Sequence, residues 1–162
     1  MKRPYTPVLA VGIGAVAGLR ALTAPAVLAW AVKRKCIRLR RSSFAAILSA
    51  KASKRITDLA ISELIADKLP FTPSRLKPGP LASRIVSGAV CGATIYGVAE
   101  TPLAEGALLG GVGAIAGAFG GYYARKRLSG NTSNLGIAVL EDALAIGGGI
   151  IIVALAAPTS ER

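Results

Sequence analysis

Residues 8–32 read VLAVGIGAVAGLRALTAPAVLAWAV, an apolar run in which Arg20 is the only charge. At 1.5 Å per residue, a helix of that length exceeds the roughly 30 Å of a bilayer's hydrocarbon core. The run therefore predicts a membrane-spanning helix. It is too long for a leader's apolar core and passes into basic residues with no small-residue cleavage pattern, which predicts mature structure. Similar runs follow at 81–98, 103–123 and 135–157. The expectation is an all-α, polytopic membrane bundle with four transmembrane helices, in a single integral membrane domain covering residues 1–162.

The composition agrees with that class and excludes others. Of 162 residues, 52% are hydrophobic, and they are gathered into runs rather than spread in a soluble pattern. No histidine is present, which removes imidazole bases and histidine metal ligands. Cys36, beside basic residues, and Cys91, inside an apolar run, belong to no metal-ligand spacing and do not suit a disulfide. The chain lacks a phosphate-binding P-loop, a serine nucleophile elbow and HExxH.

The net charge of +12 has a topological explanation. Lys33, Arg34, Lys35, Arg38, Arg40 and Arg41 follow the first run; Lys51, Lys54, Arg55, Lys68, Arg75, Lys77 and Arg84 precede the second; Arg125, Lys126 and Arg127 follow the third. Glu100 and Glu105 mark the opposite loop. The positive-inside rule then predicts both basic loops in the cytoplasm and both termini outside, against only Lys2 and Arg3. The flank of Lys33, Arg34, Lys35, Arg38, Arg40, Arg41, Lys68 and Arg75 also suits anionic lipid headgroups. Nucleic acid is not an expected partner, because no aromatic residues interleave with these charges.

Between the first two runs lie residues 44–50 and a segment at 56–69 that carries Asp58, Glu63 and Asp67 among leucines and isoleucines. The second is too short and too charged to face lipid across a membrane, so an interfacial helix and a shielded re-entrant helix both stand as readings. Pro70 and Pro73, then Pro78 and Pro80, predict a stiff connection to the second run.

Two patterns concern packing. Gly14-Ala15-Val16-Ala17-Gly18 is echoed by Gly113-Ala114-Ile115-Ala116-Gly117, and Ala60-Ile61-Ser62-Glu63 more loosely by Ala138-Val139-Leu140-Glu141. A parallel internal repeat and coincidence in an Ala/Gly-rich chain are the alternatives. Glycines at four-residue spacing, Gly14 and Gly18, Gly88 and Gly92, Gly106 and Gly110, then Gly113, Gly117 and Gly121, predict close helix approach within or between subunits. Gly147, Gly148 and Gly149 leave a whole turn without side chains, for a neighbouring helix, a bend or a pathway.

Intramembrane charge is costly and tends to face a partner, water or a substrate. Arg20 lies near the middle of the first run; Glu141 and Asp142 lie about two turns into the fourth, and Glu63 and Asp67 share one face of the short helix. Arg20, Glu63, Asp67, Glu141 and Asp142 form the candidate polar centre. Paired carboxylates there would suit a hard cation or a shared proton, which leaves a metal open; no cofactor is expected. The bland reading is a structural ion pair. Thr23, Thr72, Ser74, Ser83, Ser87, Thr94 and Tyr96 are expected to bond their own or neighbouring backbone.

Three stretches carry a family resemblance: Gly18-Leu19-Arg20-Ala21-Leu22-Thr23-Ala24-Pro25; Glu63-Leu64-Ile65-Ala66-Asp67-Lys68-Leu69-Pro70 with Thr72-Pro73-Ser74-Arg75; and Glu141-Asp142-Ala143-Leu144-Ala145. Over nearly the whole chain the sequence resembles the DUF4126 family of small bacterial membrane proteins of unknown function. The resemblance implies a multi-spanning inner-membrane protein and no substrate. It points to Arg20, Glu63, Asp67, Lys68, Arg75, Glu141 and Asp142 as a shared site.

Three functions follow as expectations. The first is a small transporter or channel component for an ion or small solute, as a homo-oligomer because four spans give little wall for a pathway. The second is a structural or accessory subunit whose glycine faces bind a membrane-protein partner. The third, a lipid-modifying enzyme, needs the acids at headgroup depth, and the balance falls against an enzyme.

Overall fold

The computed structural model describes residues 4–37, 78–128 and 134–157, together with Arg55, Asp58 and Ala60. The described helices are α1 (Thr6–Leu19), α2 (Thr23–Lys33), α3 (Pro78–Val98), α4 (Leu103–Leu128) and α5 (Asn134–Ala156). The architecture is all-α, and three of these helices, α3, α4 and α5, are long and apolar enough to cross a membrane. Large apolar side chains stay on the outside: Leu108, Val112, Ile115 and Phe119 on α4, Leu140, Leu144, Ile151 and Leu155 on α5. Apolar surface of that extent suits lipid rather than water as the surrounding solvent.

The first run corrects the sequence reading. Residues 8–32 do not form one helix: α1 ends at Leu19, Arg20 is extended with φ −141° and ψ 109°, and α2 starts at Thr23. The chain also reverses. Along α5, Gly12 faces Ile152, Val16 faces Gly148 and Arg20 pairs with Asp142, so α1 and α5 are antiparallel. Val27 of α2 then faces Gly149, about 10 Å back along α5 from Asp142. A helix continuing past Arg20 would have carried Val27 the other way. Thus α1 and α2 form a hairpin that straddles α5 at Gly148 and Gly149, which face Val16 and Val27. This is the neighbouring-helix alternative for Gly148 and Gly149; at Gly147 nothing lies within 4 Å of an added Cβ.

Pro25 supplies the local cause. A helix running through the break would need an N–H at position 25 to bond the carbonyl of Ala21, and proline has none. At the third position of α2 the missing donor is harmless, because the first turn's N–H groups lie outside the helix ladder. The far end of α2 closes with left-handed Lys35 (φ 58°); the N–H groups of Cys36 and Lys35 bond the carbonyls of Ala31 and Val32. This is the double-bonded helix stop usually built on glycine.

Glycine contacts fix the other helices. Gly88 and Gly92 of α3 meet Gly110 and Gly106 of α4 in antiparallel order, and Tyr96 covers Gly106. Gly14 and Gly18 of α1 meet Gly110 and the 114–118 turn of α4 in parallel order, with Gly113 and Gly117 against Val11 and Ala15. The two echoed motifs are therefore contact partners. Backbones this close gain dispersion and Cα–H···O contacts that a Cβ would prevent. Gly121 is buried as well. The hydrophobic core joins α1, α2, α3 and α5 through Ile13, Val16, Leu28, Cys91, Ile95, Ala145 and Val153.

Three boundaries differ from expectation. Pro78 and Pro80, expected to belong to a stiff connector, lie in the first turn of α3, where proline needs no donor. Arg84, expected in the basic flank, is buried in α3. Because α2 doubles back, Lys33, Arg34 and Lys35 lie at the end of the bundle that holds the start of α1, whereas Arg125, Lys126 and Arg127 lie at the opposite end of α4. Among the described residues, the two basic groups do not share one side. The segments 44–50 and 56–69 lie outside the described residues, except Asp58, which is exposed, and Ala60, which is buried. So do Arg38, Arg40, Arg41, Glu63, Asp67, Lys68 and Arg75.

Candidate functional site

An interrupted helix strands backbone carbonyls, and in an apolar interior each must find a donor. At this break the donors come from one face of α3. Arg84, 4% exposed, donates through Nη1 to the carbonyl oxygens of Gly18 and Leu19, both at 2.7 Å. One turn on, the hydroxyl of Ser87 donates to the carbonyl of Ala21, the oxygen that Pro25 cannot serve. Residues 84 and 87 are spaced i, i+3, so one face of α3 reaches the carbonyls of Gly18, Leu19 and Ala21. Ser83 and Thr94, by contrast, donate within their own helix to Pro80 (2.8 Å) and Val90 (2.8 Å). The expectation of own-or-neighbour backbone bonding covers all three, but the structural weight falls on Ser87.

The charged groups gather at the same level. Arg20 is fully buried, and its Nη2 forms an ion pair with Asp142 Oδ1. The neighbouring acid, Glu141, is buried and pairs with Arg125 Nη2 at 2.6 Å. Consecutive helical residues point about 100° apart. Hence one acid reaches inward to the hairpin turn and the other toward the end of α4. Glu141 also heads a buried stripe on α5 that continues through Ala145, Gly149 and Val153.

Of the expected polar centre, the structure brings Arg20 and Asp142 together and sets Glu141 directly beside them. Glu63 and Asp67 fall outside the described residues. Two arginines, Arg84 and Arg125, join the centre without having been expected there. Arg125 was read as a topological charge. Arg84 carried a signal in the sequence, since it lies three residues into the apolar run that begins at Leu81.

The arrangement holds buried charge in pairs and presents two helix ends to one another inside the fold. Among the described residues, no group of three or more carboxylates or cysteines is placed to hold a metal ion. Cys36 is exposed and Cys91 buried, and both are free thiols.

These features define a multi-spanning helical membrane protein with a polar interruption in its first apolar run. Residues 8–160 match the family model described as domain of unknown function DUF4126, and the chain belongs to that family. No curated protein and no solved structure matches the chain.

Proposed function

We propose that this protein is a small membrane transport component, moving an ion or small solute through the polar break between α1 and α2. The observation that carries the reading is the buried turn at residues 20–22. There, two helix ends, Arg20, Arg84, Glu141 and Asp142 occupy one level of an otherwise apolar bundle. Interrupted helices of this type put backbone dipoles and charge where a solute can be held at membrane depth. Such an arrangement costs stability, and retention of costly groups favours use.

On this reading α3, α4 and α5 cross the bilayer, and the α1–α2 hairpin enters and leaves on one side. At 14 and 11 residues, α1 and α2 measure about 21 and 16 Å, short of a full crossing. Tyr5 and Trp30, with Arg34 5.4 Å over the indole ring, suit one headgroup level; Tyr122 and Tyr123 suit the other. Anionic lipid at the basic ends, a bacterial inner-membrane location and assembly into homo-oligomers belong to the same proposal. The orientation with both termini outside no longer follows from the basic groups, which lie at opposite ends of the bundle.

The scaffold reading has one observation in its favour, the closure of both acids in ion pairs. Its other expectation, a glycine face left open for a partner, finds less support, since Gly14, Gly18, Gly88, Gly92, Gly106, Gly110, Gly113 and Gly117 meet neighbouring helices of the same chain.

Reconstitution into vesicles loaded with dyes for protons, potassium and small anions tests the proposal. Flux above that of protein-free vesicles, lost in a folded Arg20→Met variant, is the expected result. No flux of any of the three would leave the scaffold reading.

A further inference from the structure

The chain leaves α2 and enters α3 at opposite ends of the bundle. Ile37 follows the left-handed stop of α2, at the end that holds the start of α1, and is buried there. Pro78 opens α3 at the other end, because α3 runs antiparallel to α4. Residues 38–77 therefore connect two ends separated by the length of α3, about 32 Å.

The half of the bundle between the hairpin turn and Pro78 calls for cover. Both α1 and α2 stop at the turn, and among the described helices they are the ones α5 packs against most. Yet Ile137 and Ala138, about 8 and 6 Å past Asp142 on the far side of the turn, are buried. Charge points the same way. Among the described residues, this level holds Arg20, Arg84 and Arg125 against Glu141 and Asp142. Arg20, Arg84 and Glu141 all make further interactions. An occupant that suits this half has an apolar body and carboxylates.

Residues 56–69 have both, and three described positions set their phase. Arg55, Asp58 and Ala60 are helical; Arg55 and Asp58 are exposed and Ala60 is buried. At 100° per residue, Arg55 and Asp58 fall opposite Ala60, while Glu63 and Asp67 fall within about 60° of it. A helix continued in that phase carries its acids on the buried side and Ile65 and Leu69 on the outer one. A helix lying in the interface would do the reverse, with its acids toward water.

We infer that the half-bundle beyond the turn is a docking surface for residues 56–69 of this chain, which enter it as a helix with Ala60, Glu63 and Asp67 turned toward α5 and the three arginines. Of the two readings of this segment, the shielded one follows. Its length suffices, since 14 helical residues reach about 21 Å and Arg84 lies only about 9 Å from Pro78 along α3. Docking of this kind is independent of the transport reading, and flux present or absent leaves it unchanged.

Disulfide trapping in the full chain tests it. In a Cys36→Ser background, Ala138→Cys is combined with one cysteine in the segment, at Ala60, Leu64 or Asp67 on the inner side or at Asp58 or Ile65 on the outer. The Ala138→Cys protein alone measures pairing with Cys91. Mild oxidation in lipid vesicles should join position 138 to one of the inner cysteines at least about tenfold faster than to either outer one, since a disulfide needs Cα atoms within about 7 Å. Equal rates from both sides, or no cross-link from any inner position in proteins that keep the parent's thermal transition, would overturn the docking. A membrane-impermeant methanethiosulfonate on both sides gives a second readout. Asp67→Cys should react no faster than the background protein; labelling at least about tenfold above background in a folded variant would return the segment to the interface.

Discussion

Val16 and Val27 sit on either side of a single turn of α5, Val16 against Gly148 and Val27 against Gly149. The contact fixes the hairpin, because two residues on one continuous helix could not reach adjacent positions of a neighbour from two sides. A topological consequence follows. The end of α2 and the end of α4 lie on opposite sides of the bundle, so Cys36 and a cysteine at position 127 should face opposite compartments. In sealed vesicles of one orientation, an impermeant thiol reagent outside should label Cys36 or Arg127→Cys, never both. Labelling of both from one side would refute the reversal.

Arg84 is expected to be the most sensitive polar position of α3. Arg84→Met would remove the buried donor to the carbonyls of Gly18 and Leu19, a loss on the order of 3 kcal/mol given about 1–3 kcal/mol for each buried hydrogen-bond partner lost. Ser87→Ala, which removes one donor, to the Ala21 carbonyl, should cost about half of that. Denaturant titration in mild detergent, followed by circular dichroism, would measure both.

Arg20 and Asp142 should behave as a coupled pair. Either Arg20→Met or Asp142→Leu leaves a buried charge behind and should cost about 3–5 kcal/mol, while the double variant should cost clearly less than the sum. Additive losses in the double-mutant cycle would mean that the ion pair does not bind the hairpin to α5.

The glycines divide by what an added methyl would meet. At Gly110 a Cβ would overlap the backbone of Gly88, and at Gly14 it would overlap the Gly110 carbonyl; nothing lies within 4 Å of one at Gly120. Gly110→Ala and Gly14→Ala should therefore force helices apart and lower the thermal transition. Gly120→Ala should be neutral or raise it, since alanine is the better helix former by about 1 kcal/mol. Melting curves of the three variants in one lipid would separate these outcomes.

The sequence determined the class of fold and much of the packing. Apolar runs long enough to cross hydrocarbon can satisfy their backbone only as helices, so 81–98, 103–123 and 135–157 were legible as helices from length and composition. Glycines at four-residue spacing marked the contacts of α1, α3 and α4, and Arg20 and Asp142 were legible as charges in need of partners. Only the tertiary structure decided that the first run turns back on itself. Length argued for one crossing, and the opposing signal, Pro25 five residues after Arg20, is weak alone because prolines also occur in continuous membrane helices. The reversal is possible because Arg84 and Ser87, more than sixty residues further along the chain, supply the hydrogen bonds that the broken helix has lost. No local pattern in residues 8–32 encodes those donors, and the pairing exists only once α3 packs beside the turn.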